Sequence, residues 1–275
     1  MCGAVACFGC LDSTAKYLNR HMDTMEVVWA RYTSAFLLAF VLSNPVTRPG
    51  LLRTSRPLLQ IARSALLLFS TGLNFFAVRY LQLDQTMAIM FSTPFFVAIL
   101  SGPMLGESIG WRRWLAIGVG FVGVVLVARP GAGGIHPAAL LSLGGAVCYA
   151  VYAITTRLLA RTDSNATTLF YSNLIGALAM LAVLPLFWTT PRDPLIIVLM
   201  VGMGFWGSLG HYLLIAGHRL APAAVLSPFI YTQLIWAMVL GYLVFADVPS
   251  RFTLAGAGIV VASGLYNLHR ERVGG

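Results

Sequence analysis

The sequence predicts an all-α integral membrane protein of ten transmembrane helices, arranged as two inverted five-helix repeats around a central cavity. Three observations predict it. Of the 275 residues, 58% are apolar and only 10% are charged, with a mean hydropathy of +0.81, whereas a soluble domain carries roughly 25% charged residues to wet its surface. Apolar runs long enough to cross a bilayer recur along the whole chain, separated by connectors of a few residues. The two halves also match each other at a nearly constant offset.

The spans fall at 2–19, 26–44, 57–80, 84–104, 111–129, 137–160, 166–188, 195–217, 221–245 and 252–268, each bounded by charge or by Pro/Gly clusters. About 20 apolar residues are needed to cross about 30 Å of hydrocarbon, so ten spans leave room for short loops and no separate soluble domain. The stretch Leu115 to Val127 is continuously apolar. Alternation of the kind that marks a β-barrel strand is missing from it, so these segments are helices.

The net charge of +9 does not point to nucleic acid, because Lys and Arg sit between the apolar runs rather than along one stripe. With the N-terminus inside, the cytoplasmic connectors hold ten cations (Arg48, Arg53, Arg56, Arg112, Arg113, Arg157, Arg161, Arg219, Arg270 and Arg272). The outer connectors hold six (Lys16, Arg20, Arg79, Arg129, Arg192 and Arg251). The positive-inside bias therefore places both termini in the cytoplasm of a multi-pass inner-membrane protein. Cys7 and Cys10 form a C-x-x-C within an apolar helix with no second pair and no nearby His, which reads as packing and not as a metal site. No signal-peptide pattern opens the chain, and no cofactor is expected.

A shift of 141 residues aligns Gly3 with Gly144, Cys7 with Cys148, Lys16 with Arg157 and Arg20 with Arg161, and a shift of 140 aligns Arg79 with Arg219, Glu107 with Asp247 and Gly118 with Gly258. Residues 1–130 and 131–275 are accordingly read as two repeats. Five spans is an odd number, so the second repeat enters the membrane from the opposite side and the pair is related by a pseudo-two-fold axis in the membrane plane. Such a scaffold can expose one midplane site to either face.

Two catalytic-looking strings carry no chemistry. Gly202-Met-Gly-Phe-Trp-Gly207 fits G-x-G-x-x-G but lies inside a span, after no strand and with no acidic residue about twenty positions on. Gly106-Glu-Ser-Ile-Gly110 fits G-x-S-x-G but is a connector between spans.

Polar groups inside spans weigh more, since each costs free energy in hydrocarbon unless it faces a cavity or a partner. Asp12 and Lys16 are four apart, hence on one helix face, and suit either an internal ion pair or the two ends of a zwitterionic ligand. Arg63, Ser70, Asn74 and Ala77 share a face of the third span, and Thr86, Met90, Thr93, Val97 and Ser101 a face of the fourth; each is a helix seam or a cavity wall. The second half supplies rings: Tyr149, Tyr152, Trp206, His211, Tyr212, Tyr231 and Trp236. Rings away from span ends suit either core packing or a cavity for a ligand with a flexible or aromatic side chain. Pro94 and Pro228 fall in the fourth and ninth spans, where each kinks its helix and marks a candidate gate. Ala116-x-x-x-Gly120 and Gly258-x-x-x-Ala262 are small-residue packing spacings within one protomer or at a dimer seam.

The run Pro94…Leu105-Gly106-Glu107…Gly118…Gly123, preceded by Arg63…Asn74-Phe75-Phe76-Ala77…Tyr80-Leu81, resembles the EamA-type unit of the drug/metabolite transporter superfamily. The second half keeps the pattern less closely, with Asp247 in place of the Glu and glycines at 256, 258 and 264. Within the superfamily the compact form, the opening helix with Asp12 and Lys16 and the aromatic second half are most similar to YddG-type aromatic amino-acid exporters. That resemblance implies efflux of amino acids, aromatic and others such as methionine or threonine, and of related small metabolites, by alternating access and with no covalent chemistry. The partners it implies are the substrate and membrane lipid, with the protein a monomer or weak homodimer. Substrate contacts are expected from Asp12, Lys16, Asn74, Met90, Thr93, Tyr149, Trp206, His211, Tyr231 and Trp236. A multidrug or nucleotide-derivative exporter of the same superfamily is the alternative. An intramembrane enzyme is the reading from another class, and it lacks any HExxH, paired aspartates or nucleophile with a base.

Overall fold

The computed structural model describes residues 1–42, 49–105, 111–128, 136–159, 162–220 and 231–273, and all regular structure among them is helical. The helices are α1 (Cys2–Leu18), α2 (Thr24–Leu42), α3 (Pro57–Tyr80), α4 (Leu83–Met90), α5 (Thr93–Leu105), α6 (Trp111–Ala128), α7 (Pro137–Leu159), α8 (Asn165–Val183), α9 (Pro194–Leu220), α10 (Thr232–Phe245) and α11 (Arg251–Val273). Local sequence explains many of the ends. Proline opens α3, α7 and α9, where a missing N–H costs nothing. The Ser164 hydroxyl caps α8 by accepting from the Thr167 amide at 3.1 Å, and Ser250 does the same for α11 through Thr253. Ala246 ends α10 in the left-handed conformation at φ 56°.

The fourth predicted span is not one kinked helix. It is two helices, α4 and α5, broken at Phe91 and Ser92. Pro94 stands at the second position of α5, so it starts a helix instead of interrupting one. The amides of Phe95 and Phe96 turn back to the Ser92 carbonyl at 3.0 and 3.2 Å, and the Thr93 hydroxyl donates to the Met90 carbonyl at 2.7 Å, so the break is capped on both sides. The proline inside α5 is Pro103. Pro228 and Glu107 lie outside the described residues.

The molecule is arranged inside-out relative to a soluble protein. Its outer surface carries large apolar side chains such as Val41, Leu58, Phe69, Trp111, Val201 and Leu243, while Glu26, Gln60, Arg63 and Thr86 are buried. Four helical stretches are individually long and apolar enough to cross a membrane (Pro57–Tyr80, Pro137–Thr156, Asn165–Leu186 and Pro194–Leu214). Only lipid solvates such a surface without penalty.

Two apolar clusters organise the interior. One joins α1, α2, α8 and α9 around Leu18, Val27, Tyr32 and Met203. The other joins α4, α6, α10 and α11 around Leu83, Ile89, Val127 and Val260. The most extensive helix pairs are α6 with α11, α3 with α7, α2 with α9 and α1 with α9, followed by α2 with α8, α3 with α8, α1 with α10 and α5 with α7. Two seams bring one helix backbone against another where glycine stands. A Cβ on Gly256 would stand 2.5 Å from the Gly123 carbonyl, and one on Gly204 would enter the backbone of Ser34 and Ala35. The α6–α11 seam therefore runs through Gly123 and Gly256, whereas Gly118 and Gly258 face open space, so the spacing based on Gly258 does not form this seam.

Candidate functional site

A cavity of about 300 Å³ lies where the two clusters meet. Leu11 and Phe75 reach it from the first cluster, and Met87 and Phe91 from the second. Helices α1, α2, α3, α4, α5, α7, α9 and α10 all contribute, so the wall is built from both halves of the chain. Its volume suits a small organic molecule.

On α1, Val5, Phe8 and Asp12 recur at three- and four-residue spacing and so present one face to the cavity. Asp12 is buried, and among the described residues its carboxylate accepts only a long contact of 3.4 Å from the Asn74 amide of α3. The Oδ1 of Asn74 is buried with no partner. From α2, Arg31 enters the same space at 8% exposure; its guanidinium lies over the Tyr32 ring at 4.4 Å, and its Nε has no hydrogen-bond partner. The Tyr32 hydroxyl lies 3.1 Å from that of Thr71. Rings and thioethers make up much of the remaining wall. Phe8 meets His211 edge-on at 5.1 Å, Tyr149 packs against Tyr152 at 5.2 Å, and the Gln233 amide donates to the Met87 sulfur at 3.3 Å.

Of the residues expected from sequence to contact substrate, Asp12, Asn74, Met90, Thr93, Tyr149 and His211 line this cavity together with Pro94. Others stand apart from it. Lys16 forms an ion pair with Asp247 and lies 4.8 Å over the Phe245 ring, so it ties α1 to the α10–α11 junction and does not pair with Asp12. Trp206 packs on Phe205 and the first apolar cluster. Trp236 is half-exposed and does not line the cavity; its Cβ stands against Gly9 of α1. Tyr231 is the residue before α10, not its middle, and its ring meets Phe91 at 5.2 Å. Arg31 is the residue that sequence reasoning missed: an arginine seven positions into an apolar helix carries the same warning as Arg63.

Arg63 itself closes a second polar centre. Its guanidinium donates to Thr156 at 2.6 Å, Ser172 at 2.7 Å, the Tyr152 hydroxyl at 2.8 Å and the Thr168 carbonyl at 3.2 Å. The fork thereby joins α3 to α7 and α8 as a seam, with its donors spent on protein. Nearby, Asp163 accepts from Thr54, Ser55 and Gln60. Burial opposes its charge, but these hydrogen bonds outweigh it and hold the carboxyl below the ordinary aspartate range.

The signature of the EamA-like transporter family runs through residues 1–129 and again through 136–267. The chain belongs to the EamA-like transporter family. Among its relatives, the S-adenosylmethionine uptake transporter of Rickettsia conorii is 30% identical over 263 residues, spanning 95% of this chain and 88% of that protein. The riboflavin transporter of Vibrio cholerae is 28% identical over 260 residues, 93% of this chain and 87% of its own. A crystal structure superposes with a TM-score of 0.66 at 16% identity, covering 99% of this chain and 97% of the other, and shows the fold. The EamA-like chain is thus a membrane transporter. The relatives named here are for S-adenosylmethionine and riboflavin, so the resemblance read from sequence is shown at family level, and aromatic amino-acid export is not shown by them.

Proposed function

We propose that this EamA-like protein carries amino acids and their small derivatives across the inner membrane by alternating access, through ten spans built as two inverted repeats with both termini in the cytoplasm. The observation that carries this reading is the cavity between the two apolar clusters, walled by helices from both halves. The pattern of helix neighbours supports the repeat. Exchanging α1 with α7, α2 with α8, α3 with α9, α4 and α5 with α10, and α6 with α11 turns the α1–α9 contact into α3–α7. It also turns α2–α9 into α3–α8 and α1–α10 into α5–α7, and each of these contacts is present. The two separate segments of family signature, 1–129 and 136–267, support the same division.

A site enclosed between two such halves reaches either face when they rock about it. The mixed wall of rings and thioethers with a few polar groups suits a substrate that has a polar head and an apolar or aromatic body. One named relative is an uptake transporter, and an alternating carrier runs with its gradients; exchange in either direction is therefore proposed in place of obligatory export. Break-capped α4 and α5, which bring Met90, Thr93 and Pro94 to the cavity, are the proposed moving element.

Purified protein in liposomes preloaded with unlabelled amino acids, S-adenosylmethionine or riboflavin should accumulate the same labelled compound for at least one amino acid or derivative. Absence of counterflow for every compound would remove the reading. A same-family carrier of a ring compound with no amino-acid head is the second reading, favoured by the riboflavin relative, and it predicts riboflavin counterflow alone.

A further inference from the structure

We infer that Asp12 and Arg31 form the two poles of a clamp for an α-amino-acid head group, Arg31 taking the carboxylate and Asp12 the ammonium. This rests on the transport reading above and names the substrate class of the same cavity. Both side chains are buried, both line the cavity, and they come from different helices, α1 and α2. They do not pair with each other: the ion pair among the described residues is Lys16 with Asp247.

Each pole has unused capacity. The Nε of Arg31 is buried without a partner, and the guanidinium lies over the Tyr32 ring, with the Tyr32 hydroxyl as its side-chain hydrogen-bonding neighbour. Among the described residues the Asp12 carboxylate holds a single 3.4 Å contact from Asn74, long for a hydrogen bond to an ion, and Asn74 leaves its own Oδ1 open. An isolated charge within an apolar helix costs several kcal/mol on insertion scales and is retained where it meets a partner or a water-filled cavity. Arg63 shows what this chain does when an arginine is structural: it gives that arginine four hydrogen-bond acceptors. Arg31 has been left for a ligand.

A guanidinium fork matches a carboxylate in two parallel hydrogen bonds, and a carboxylate with a neighbouring amide oxygen matches the three donors of an ammonium. A ligand carrying both groups on one carbon supplies the charges that the two poles lack. A neutral ring compound would leave both poles without a charged partner in direct contact, and an amine or a carboxylic acid would leave one of them so. The body of the ligand then lies among Phe8, Met87, Met90, Phe91 and Tyr149. This assigns the zwitterionic head as the recognised feature and leaves the side chain free to vary between a thioether, a sulfonium or an aromatic ring.

The test is competition in proteoliposome counterflow, using labelled S-adenosylmethionine, L-phenylalanine and riboflavin. At least one of the two zwitterions should exchange, and its decarboxylated and deaminated analogues should each compete at least about tenfold more weakly, the effect of one lost charge-assisted contact. In R31Q the discrimination against the decarboxylated analogue should disappear, with R31K retaining part of it; in D12N the discrimination against the deaminated analogue should disappear. Exchange of riboflavin alone, or equal competition by the analogues, overturns the clamp while leaving the transporter intact. No exchange of any of the three overturns the transport reading itself. If R31Q does not assemble, the analogue series on the unaltered protein decides.

Discussion

Two buried arginines of this protein sit in similar apolar helices and are treated in opposite ways. Arg63 on α3 is surrounded by Thr156, Ser172, Tyr152 and the Thr168 carbonyl, and its charge serves to lock three helices together. Arg31 on α2 lies on a ring, lines a cavity and has a buried nitrogen with no partner. Hydrogen-bond saturation thus distinguishes a structural cation from one held ready for a ligand, although burial alone is the same for both, at 2% and 8% exposure.

The sharpest way to break this contrast is to remove each charge in turn. Arg63→Ala strands several buried hydroxyls and should lower stability by about 3 kcal/mol, read as a large fall in melting temperature in detergent. Arg31→Met removes a charge that no salt bridge among the described residues holds, and should lower the melting temperature far less than Arg63→Ala. Equal losses in the two variants would show that Arg31 is structural after all.

The tyrosines that flank the two centres sharpen the comparison. Tyr152→Phe deletes a hydrogen bond to a charged group and should destabilise the protein by about 1.5 kcal/mol. Tyr149→Phe, on the cavity wall, should leave thermal stability near that of the parent protein and alter the apparent affinity in counterflow. At the far end of α1, the Lys16–Asp247 pair lies partly exposed, with Asp247 at 21%. A double-mutant cycle of Lys16→Gln and Asp247→Asn should give a coupling of no more than about 1 kcal/mol, as for other solvent-screened pairs.

The smallest effect concerns Asp163, next to the Arg63 centre. Its carboxyl is held below the ordinary aspartate value of 3.8. Its contribution to stability is therefore present above that value and fades as pH falls through the lower folded-state one. Melting curves between pH 6 and 2.5, values chosen to bracket the aspartate range, should show the parent losing a small advantage over Asp163→Asn only at the acidic end. A difference that grows on acidification would contradict the hydrogen bonds from Thr54, Ser55 and Gln60.

Much of the polar side of the cavity was legible in the sequence because polar groups in apolar helices are conspicuous. Asp12, Asn74 and Thr93 were identified by that rule, and Met90, Tyr149 and His211 by sharing faces or rings with them. Arg31 obeys the same rule and escaped because, lying inside a span, it was set aside from the count of connector cations and weighed no further. The aromatic residues were read less well. Trp206, Tyr231 and Trp236 look central when placed along a span, but the direction in which a ring points depends on the rotation of its helix, and these three turn to a neighbouring cluster, to Phe91 and to the α1 seam at Gly9. Pro94 was located correctly and misread. Proline marks a place where a helix cannot continue unbroken, and whether that becomes a kink or a fresh start depends on the residues that cap it, here Ser92 and Thr93.

By itself the sequence determined that the chain is helical and bathed in lipid, because the free energy of apolar surface and of unpaired backbone groups depends on composition and run length, which any reader of the sequence can sum. It also located the polar residues that hydrocarbon does not tolerate unassisted. Only the tertiary structure decided which of those residues were satisfied by neighbours and which were not. Lys16 found Asp247, 231 positions away, and Arg63 found acceptors on α7 and α8, while Asp12 and Arg31 found a shared cavity. Partnership of this kind depends on distances of a few ångströms between segments far apart in the chain, and helical periodicity alone carries no such information.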